Sequence, residues 1–199
     1  MKVRDATVAD VTPLTALHTA AFEGQMGPLI GDRYIRAFLR WFIENPSAVS
    51  LVAELDGQPA GYVFGAPDGY GPGLTRTLMP TIAAGVLRNL PKVVLHQSFA
   101  RQVRSRLSNL ILRREPTNRI FANTPAGCFC LVGIGTHRAF RGRGVASALI
   151  GELIARSRGG PVLLDVFKDN IAARSVYEQC GFRVLVEEGR VIRMINRPL

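Results

Sequence analysis

Between Val132 and Ser147 an extended apolar run passes through an Arg-Gly-Arg-Gly loop and straight into a helix-forming stretch. Val132-Gly133-Ile134-Gly135-Thr136 reads as the end of a strand. His137 to Gly144 forms the loop, and a helix is predicted from Val145. A helix start carries unpaired N–H groups and the positive end of the peptide dipole. Glycines let such a backbone approach a phosphate closely, and Arg141 and Arg143 add charge beside Gly142 and Gly144. The segment is a physical anion site, which places a strand and a helix back to back in a layered α/β fold.

Two familiar phosphate loops fail here. A Walker A loop needs Gly-Lys-Ser/Thr after its glycines, and none follows. A dinucleotide fingerprint finds Gly142, Gly144 and Ser147, with Asp165 placed 23 positions after Gly142. Its glycines should sit at the strand end, yet Gly142 lies six positions beyond Thr136. The 34 residues after Asp165 are also too few for the rest of a doubly wound sheet.

The remaining pattern predicts alternation. Residues 1–5 suit a strand, and Asp10 is placed to cap a helix reaching about Phe22. A second helix, about Pro28 to Ile43, carries an aromatic stripe of Tyr34, Phe38, Trp41 and Phe42. Asp56-Gly57 joins the strands Ser50–Leu55 and Ala60–Gly65 in a hairpin. After a Pro/Gly-rich loop, residues 74–90 and 92–114 read as two helices broken at Pro91. Cys128–Thr136 is a strand, Val145–Ser157 a helix, Val162–Phe167 a strand and Ile171–Gln179 a helix. Two strands near Phe182–Glu187 and Arg190–Ile195 close the chain. Hairpins beside crossovers predict a mixed sheet.

Arg141-x-x-Gly144-x-Ala146 resembles the Gln/Arg-x-x-Gly-x-Gly/Ala loop of the GNAT N-acetyltransferases. Leu164…Asn170-x-x-Ala173-x-x-x-Tyr177-Glu178-x-x-Gly181-Phe182 resembles that family's second signature, at the family's separation. The likeness is strong over Val132–Phe182 and moderate over residues 1–66; residues 67–127 fall outside the family core. His137-Arg138 stands where the family often has Asp/Asn-Pro. The resemblance implies one domain over residues 1–199, built as a mixed α/β sheet splayed between its fourth and fifth strands. Helices cover both faces, and a basic helical insertion, 67–127, lies between strands 3 and 4.

It also implies acetyl-coenzyme A as co-substrate, a primary amine as acceptor and no metal. Its cofactor contacts fall on Ile134, Gly135, Thr136, Arg141, Gly142, Arg143, Gly144, Val145, Ala146, Asn170 and Tyr177. Asn170 also suits a helix N-cap. Tyr177, two helical turns on along the same face, points by resemblance at the cofactor sulfur. An ammonium must lose a proton before it attacks. The fourth strand carries no carboxylate, which leaves His18, Glu23 and Asp68 as candidate bases, or water alone. His18 lies on the apolar stripe of its helix. Glu23 falls in the loop that by resemblance borders the acceptor, and is the catalytic choice beside Tyr177. The first helical pair and the insertion resemble family members linked to surface-polysaccharide genes, which favours an amino sugar. The rival reading is a non-catalytic module that binds acetyl-coenzyme A or nucleic acid.

Net charge decides little until it is mapped. The chain carries +10, of which +8 lies in the 46 residues 74–119 and +2 in the other 153. Within 101–114, Val103, Leu107, Leu110 and Ile111 share a helical face among five arginines. Such a helix packs, steers a polyanionic cofactor or lies on an anionic membrane. Phe99 is the single aromatic of residues 74–119, which argues against base stacking and so against nucleic acid. Three cysteines, the absence of an apolar leader after Met1-Lys2-Val3-Arg4 and the lack of a long apolar run make a cytoplasmic protein the expectation.

Overall fold

The computed structural model describes residues 1–22, 27, 30–88 and 127–197. Asp56 and Gly57 both take positive φ, 53° and 75°. They form the mirror-image turn that matches strand twist, joining β2 (Val49–Leu55) to β3 (Gln58–Pro67). β1 (Lys2–Asp5) pairs antiparallel with β2. β4 (Phe129–Thr136) pairs antiparallel with β3. β5 (Val162–Phe167) is parallel to β4, and the hairpin of β6 (Arg183–Glu188) and β7 (Val191–Ile195) adds β7 beside β5. The sheet order is β1-β2-β3-β4-β5-β7-β6, mixed as the hairpins required.

Helices cover both faces. α1 (Val11–Ala21) and α2 (Asp32–Glu44) lie on one. Leu14, Leu17, Ile35, Leu39 and Phe42 pack there against Val52, Tyr62 and Phe64. α4 (Val145–Arg156) and α5 (Ile171–Gln179) lie on the other. Val145, Leu149, Ile150 and Leu153 are buried at helical spacing, each stabilising by about 1.5–3 kcal/mol. α4 can sit this close to the sheet because β3 carries Gly61, where a Cβ would come within 2.8 Å of Val145 Cγ1.

Three local expectations need correction. Asp10 occupies the N-cap position of α1 but makes no side-chain cap bond. Its carboxylate instead accepts from Arg4 at 2.8 Å and from the Thr7 backbone N–H at 2.7 Å, because a 3-10 turn, Val8–Asp10, aims it backwards. α2 begins at Asp32, with Gly31 at φ 111° as its N-cap inside the predicted span, whose start at Pro28 lies outside the described residues. α3 spans Gly71–Arg88 and starts three residues earlier than predicted. Pro72 falls in its first turn, where a missing N–H costs nothing. α3 is the described part of the helical insertion between β3 and β4. The predicted helix 92–114, with the basic stretch 101–114 and its expected membrane contact, lies outside the described residues. Among the described residues no helix is long and apolar enough to cross a membrane.

β4 and β5 pair only over Phe129↔Val162, Cys130↔Leu163 and Leu131↔Leu164. Beyond that they part, although β4 continues to Thr136 and β5 to Phe167. Against β3, Gly65 faces Leu131 and Phe64 faces Gly133, so Val132 is an extra, bulged residue at the parting point. The splay expected between the fourth and fifth strands is present.

Candidate functional site

A cavity of about 510 Å³ opens from the splay on the α4–α5 side, within the range of small-molecule sites. Its floor is β4, through Ile134 and Thr136. Its outer wall is the loop, through Arg141, Gly142, Gly144, Val145 and Ala146, and Tyr177 on α5 closes the inner part.

The loop owes its shape to two glycines. Gly142 and Gly144 adopt φ 74° and 76°, which other L-residues rarely take. A Cβ at either would meet no atom within 4 Å, so the space beside them is free for a ligand. Gly144 is the N-cap of α4 and brings no side chain to satisfy the first turn. The first helical bond is Ala148 N–H to the Gly144 carbonyl, at 3.0 Å. The N–H groups of residues 145–147 therefore point out of the helix start, ready for an anion.

Tyr177 is buried, its ring centroid 6.0 Å from that of Phe182. Burial, with Cys180 near by, pushes its phenol up to about 12. It is therefore protonated at neutral pH, with a proton available to donate to a hydrogen-bond acceptor. Ala173, one helical turn before Tyr177, and Val176 line the cavity, and Ser147 and Ile150 extend the α4 wall. None of the four stands among the cofactor contacts expected from the sequence, although Ala173 falls in the quoted signature and its i−4 position before Tyr177 was the available signal.

Three of the predicted contact residues also make contacts within the fold, Asn170 in the capping role expected of it. Gly135 is buried with its Cα facing Tyr62; a Cβ there would stand 2.7 Å from the ring. Arg143 lies 3.6 Å from Asp56 and stacks over the Phe140 ring at 5.5 Å. Asn170 caps α5, its side-chain oxygen accepting from Ala173 N–H at 3.2 Å.

Of the candidate bases, Glu23 lies outside the described residues. His18 Nδ1 is 2.6 Å from Tyr62 Oη, and its ring packs against Phe22, Phe38 and Tyr62. Burial lowers its pKa to about 4, which supports the structural reading. Asp68 is exposed, and its backbone N–H donates to the Cys128 carbonyl at 3.0 Å. Sequence reasoning gave Asp165 no part in the chemistry, yet it stands where the strands part, bonded to Arg193. No group of three potential metal ligands occurs among the described residues.

Comparison with known proteins places these features. The sequence profile of the acetyltransferase (GNAT) family matches residues 14–182. N-alpha-acetyltransferase RimI of Mycobacterium tuberculosis is 44% identical over 50 residues, 25% of this chain and 32% of that protein. The match thus spans about a third of that relative. An N-acetyltransferase from Staphylococcus aureus Mu50 superposes with TM-score 0.64 at 16% identity, over 98% of this chain and 100% of that one. A PaiA N-acetyltransferase from Thermoplasma acidophilum, solved in complex with coenzyme A, superposes with TM-score 0.54 at 13% identity, over 99% and 98%. At such identity the two structures speak for the fold.

Proposed function

The chain belongs to the acetyltransferase (GNAT) family, a class of acetyl-coenzyme A-dependent acyltransferases, and on that premise we propose that it acetylates a primary amine by direct transfer from acetyl-coenzyme A. The observation that carries the reading is the alignment of a phosphate-ready loop, a splayed β4 and a buried phenol along one cavity.

The residues present suit the co-substrate. The free N–H groups at the start of α4, with Arg141 beside them, hold the pyrophosphate. Ile134 and Thr136 offer a strand edge that β5 no longer pairs, so its backbone groups are available to the amide-bearing arm. The thioester then lies near Tyr177. The amine nitrogen attacks the thioester carbon, a C–N bond forms and the C–S bond breaks. Starting from an ammonium, two protons leave nitrogen and one ends on sulfur, both by exchange with water. Tyr177 donates a hydrogen bond to the sulfur as negative charge collects there.

For the acceptor, an amino sugar remains the favoured small molecule, on the resemblance of the first helical pair. The likeness to RimI supports a second reading, the α-amine of a protein N-terminus. The test is thiol release from acetyl-coenzyme A with D-glucosamine, an alanine-initiated peptide and a polyamine. Turnover with one of them is expected. Tight coenzyme A binding with no turnover of any amine would leave the non-catalytic binding module instead.

A further inference from the structure

Among the 18 residues of α3, Gly71–Arg88, the polar side chains are Arg76, Arg88 and three threonines. There is no acid, lysine or side-chain amide. A helix on the surface of a fold ordinarily covers its solvent side with such groups.

The inner face of α3 is accounted for. Leu78 is buried, and Leu74 packs with the core that α1 and α2 share with β3. Two glycines let the helix lie close. A Cβ at Gly73 would stand 3.7 Å from Trp41 Cζ2 on α2, and one at Gly85 would stand 2.6 Å from the carbonyl oxygen of Ile30, just before α2.

The outer face is not accounted for. Met79, Ala83 and Leu87 recur at every fourth position on the side away from Leu74, Leu78 and Gly85, with Pro80 and Ala84 beside them. All five are exposed, Met79 to 45% and Leu87 to 76%. Arg76 falls among them and Arg88 at their edge, both exposed. Thr77, at the border, directs its hydroxyl back to the Gly73 carbonyl at 3.1 Å. The face thus offers apolar contact and positive charge, and nothing negative.

That combination selects a partner. A second copy laid on the face would set arginines against arginines with no acid to pair them. A nucleic acid would answer the arginines and leave Met79 and Leu87 in water. An anionic bilayer answers both, since its headgroups attract Arg76 and Arg88 and its acyl boundary takes up the apolar side chains. Among the described residues no helix is long and apolar enough to cross a membrane. An amphipathic basic helix lies instead in the plane of the interface.

We propose that the outer face of α3 docks the protein on an anionic phospholipid surface. α3 packs with the α1–α2 layer, and the cofactor cavity opens on the other face of the sheet, so the cavity stays accessible in the docked protein. The inference does not depend on the acetyltransferase reading.

The test is co-sedimentation of the full chain with vesicles of equal parts phosphatidylglycerol and phosphatidylcholine, against pure phosphatidylcholine. Pelleting is expected with the first and not the second, and should weaken as salt rises. The double variant Met79→Gln/Leu87→Gln keeps every charge and should partition at least about tenfold more weakly. Arg76→Gln should weaken partition about fivefold. A second readout needs no variant. Peroxide oxidation of Met79 in the wild type, followed by peptide mass spectrometry, should slow with the anionic vesicles and not with phosphatidylcholine. It decides alone if the double variant folds poorly. Three outcomes overturn the proposal: no lipid-dependent pelleting, a double variant that pellets like the wild type, or unchanged Met79 oxidation in pelleted protein. Lipid-free self-association that the double variant abolishes also overturns it, in favour of a second copy.

Discussion

His18 Nδ1 and Tyr62 Oη lie 2.6 Å apart, and the same tyrosine ring fills the space that a side chain at Gly135 would need. α1 is in this way tied to the strand that floors the cofactor cavity. The imidazole is neutral in the fold, since burial lowers its pKa from 6.5 to about 4. In the unfolded chain it takes up a proton near pH 6.5. Its contribution is therefore complete above pH 6.5 and is lost as pH falls towards 4. The loss should reach about 2–3 kcal/mol at pH 4. Chemical denaturation of the wild type against His18→Gln, at pH 7 and pH 4, checks this. The variant should be less stable at pH 7 and show a smaller loss between the two.

Gly135→Ala tests the other half of that contact. The added methyl would sit 2.7 Å from Tyr62 Cε1, and Tyr62 is fully buried, so the ring cannot swing away. Overpacking of this kind costs about 1–3 kcal/mol. Tyr62→Leu shortens the side chain opposite and should recover part of the loss in the double variant. A double-mutant cycle of unfolding free energies measures the coupling, and additive effects would contradict the contact.

Much of this architecture was legible because the sequence states it locally. Asp56-Gly57 needs a left-handed pair, and the two glycines beside Arg141 and Arg143 need left-handed φ, so the hairpin and the anion loop both follow from residue type. β5 and α5 fell on the predicted residues, bounded by Gly159-Gly160-Pro161 and by Asn170 as a cap. What escaped depends on partners distant in the chain. Arg4 draws Asp10 away from its helix, and nothing near Asp10 announces that. Asp165 and Arg193 are 28 positions apart and meet only because β7 is inserted beside β5. Arg143 belongs to the loop by motif, yet Asp56 from the β2–β3 turn and the Phe140 ring claim its side chain.

Charge and conformation can be separated at Gly144. Any side chain there is strained by φ 76°, but Asn tolerates the left-handed region better than most residues. Gly144→Asp adds a negative charge where the pyrophosphate is expected, and Gly144→Asn adds nearly the same bulk without it. Calorimetry with coenzyme A should show the Asp variant binding at least about tenfold more weakly than the Asn variant, the effect of one like-charge contact of about 1.4 kcal/mol. Equal affinities would move the phosphates away from this loop.

Tyr177 offers the most direct chemical test. Its phenol is held up to about 12 by burial, first, and by Cys180. A departing thiolate has a conjugate acid near 8.5. Full proton transfer from such a phenol to sulfur is uphill, so the role proposed for Tyr177 is that of a hydrogen-bond donor, with the thiolate taking its proton from water. Two outcomes follow. The pH–rate profile should show no limb from this phenol below about pH 11, because the group stays protonated throughout. Tyr177→Phe keeps the ring against Phe182 and removes only the donor. Turnover should fall about 10²-fold, as when one preorganised donor is lost, with coenzyme A affinity nearly unchanged. Pre-steady-state measurement of the acetyl-transfer step reads this without interference from product release. An unaltered transfer rate would reduce Tyr177 to packing, and a matching loss of coenzyme A affinity would place its hydroxyl on the cofactor arm rather than at the sulfur.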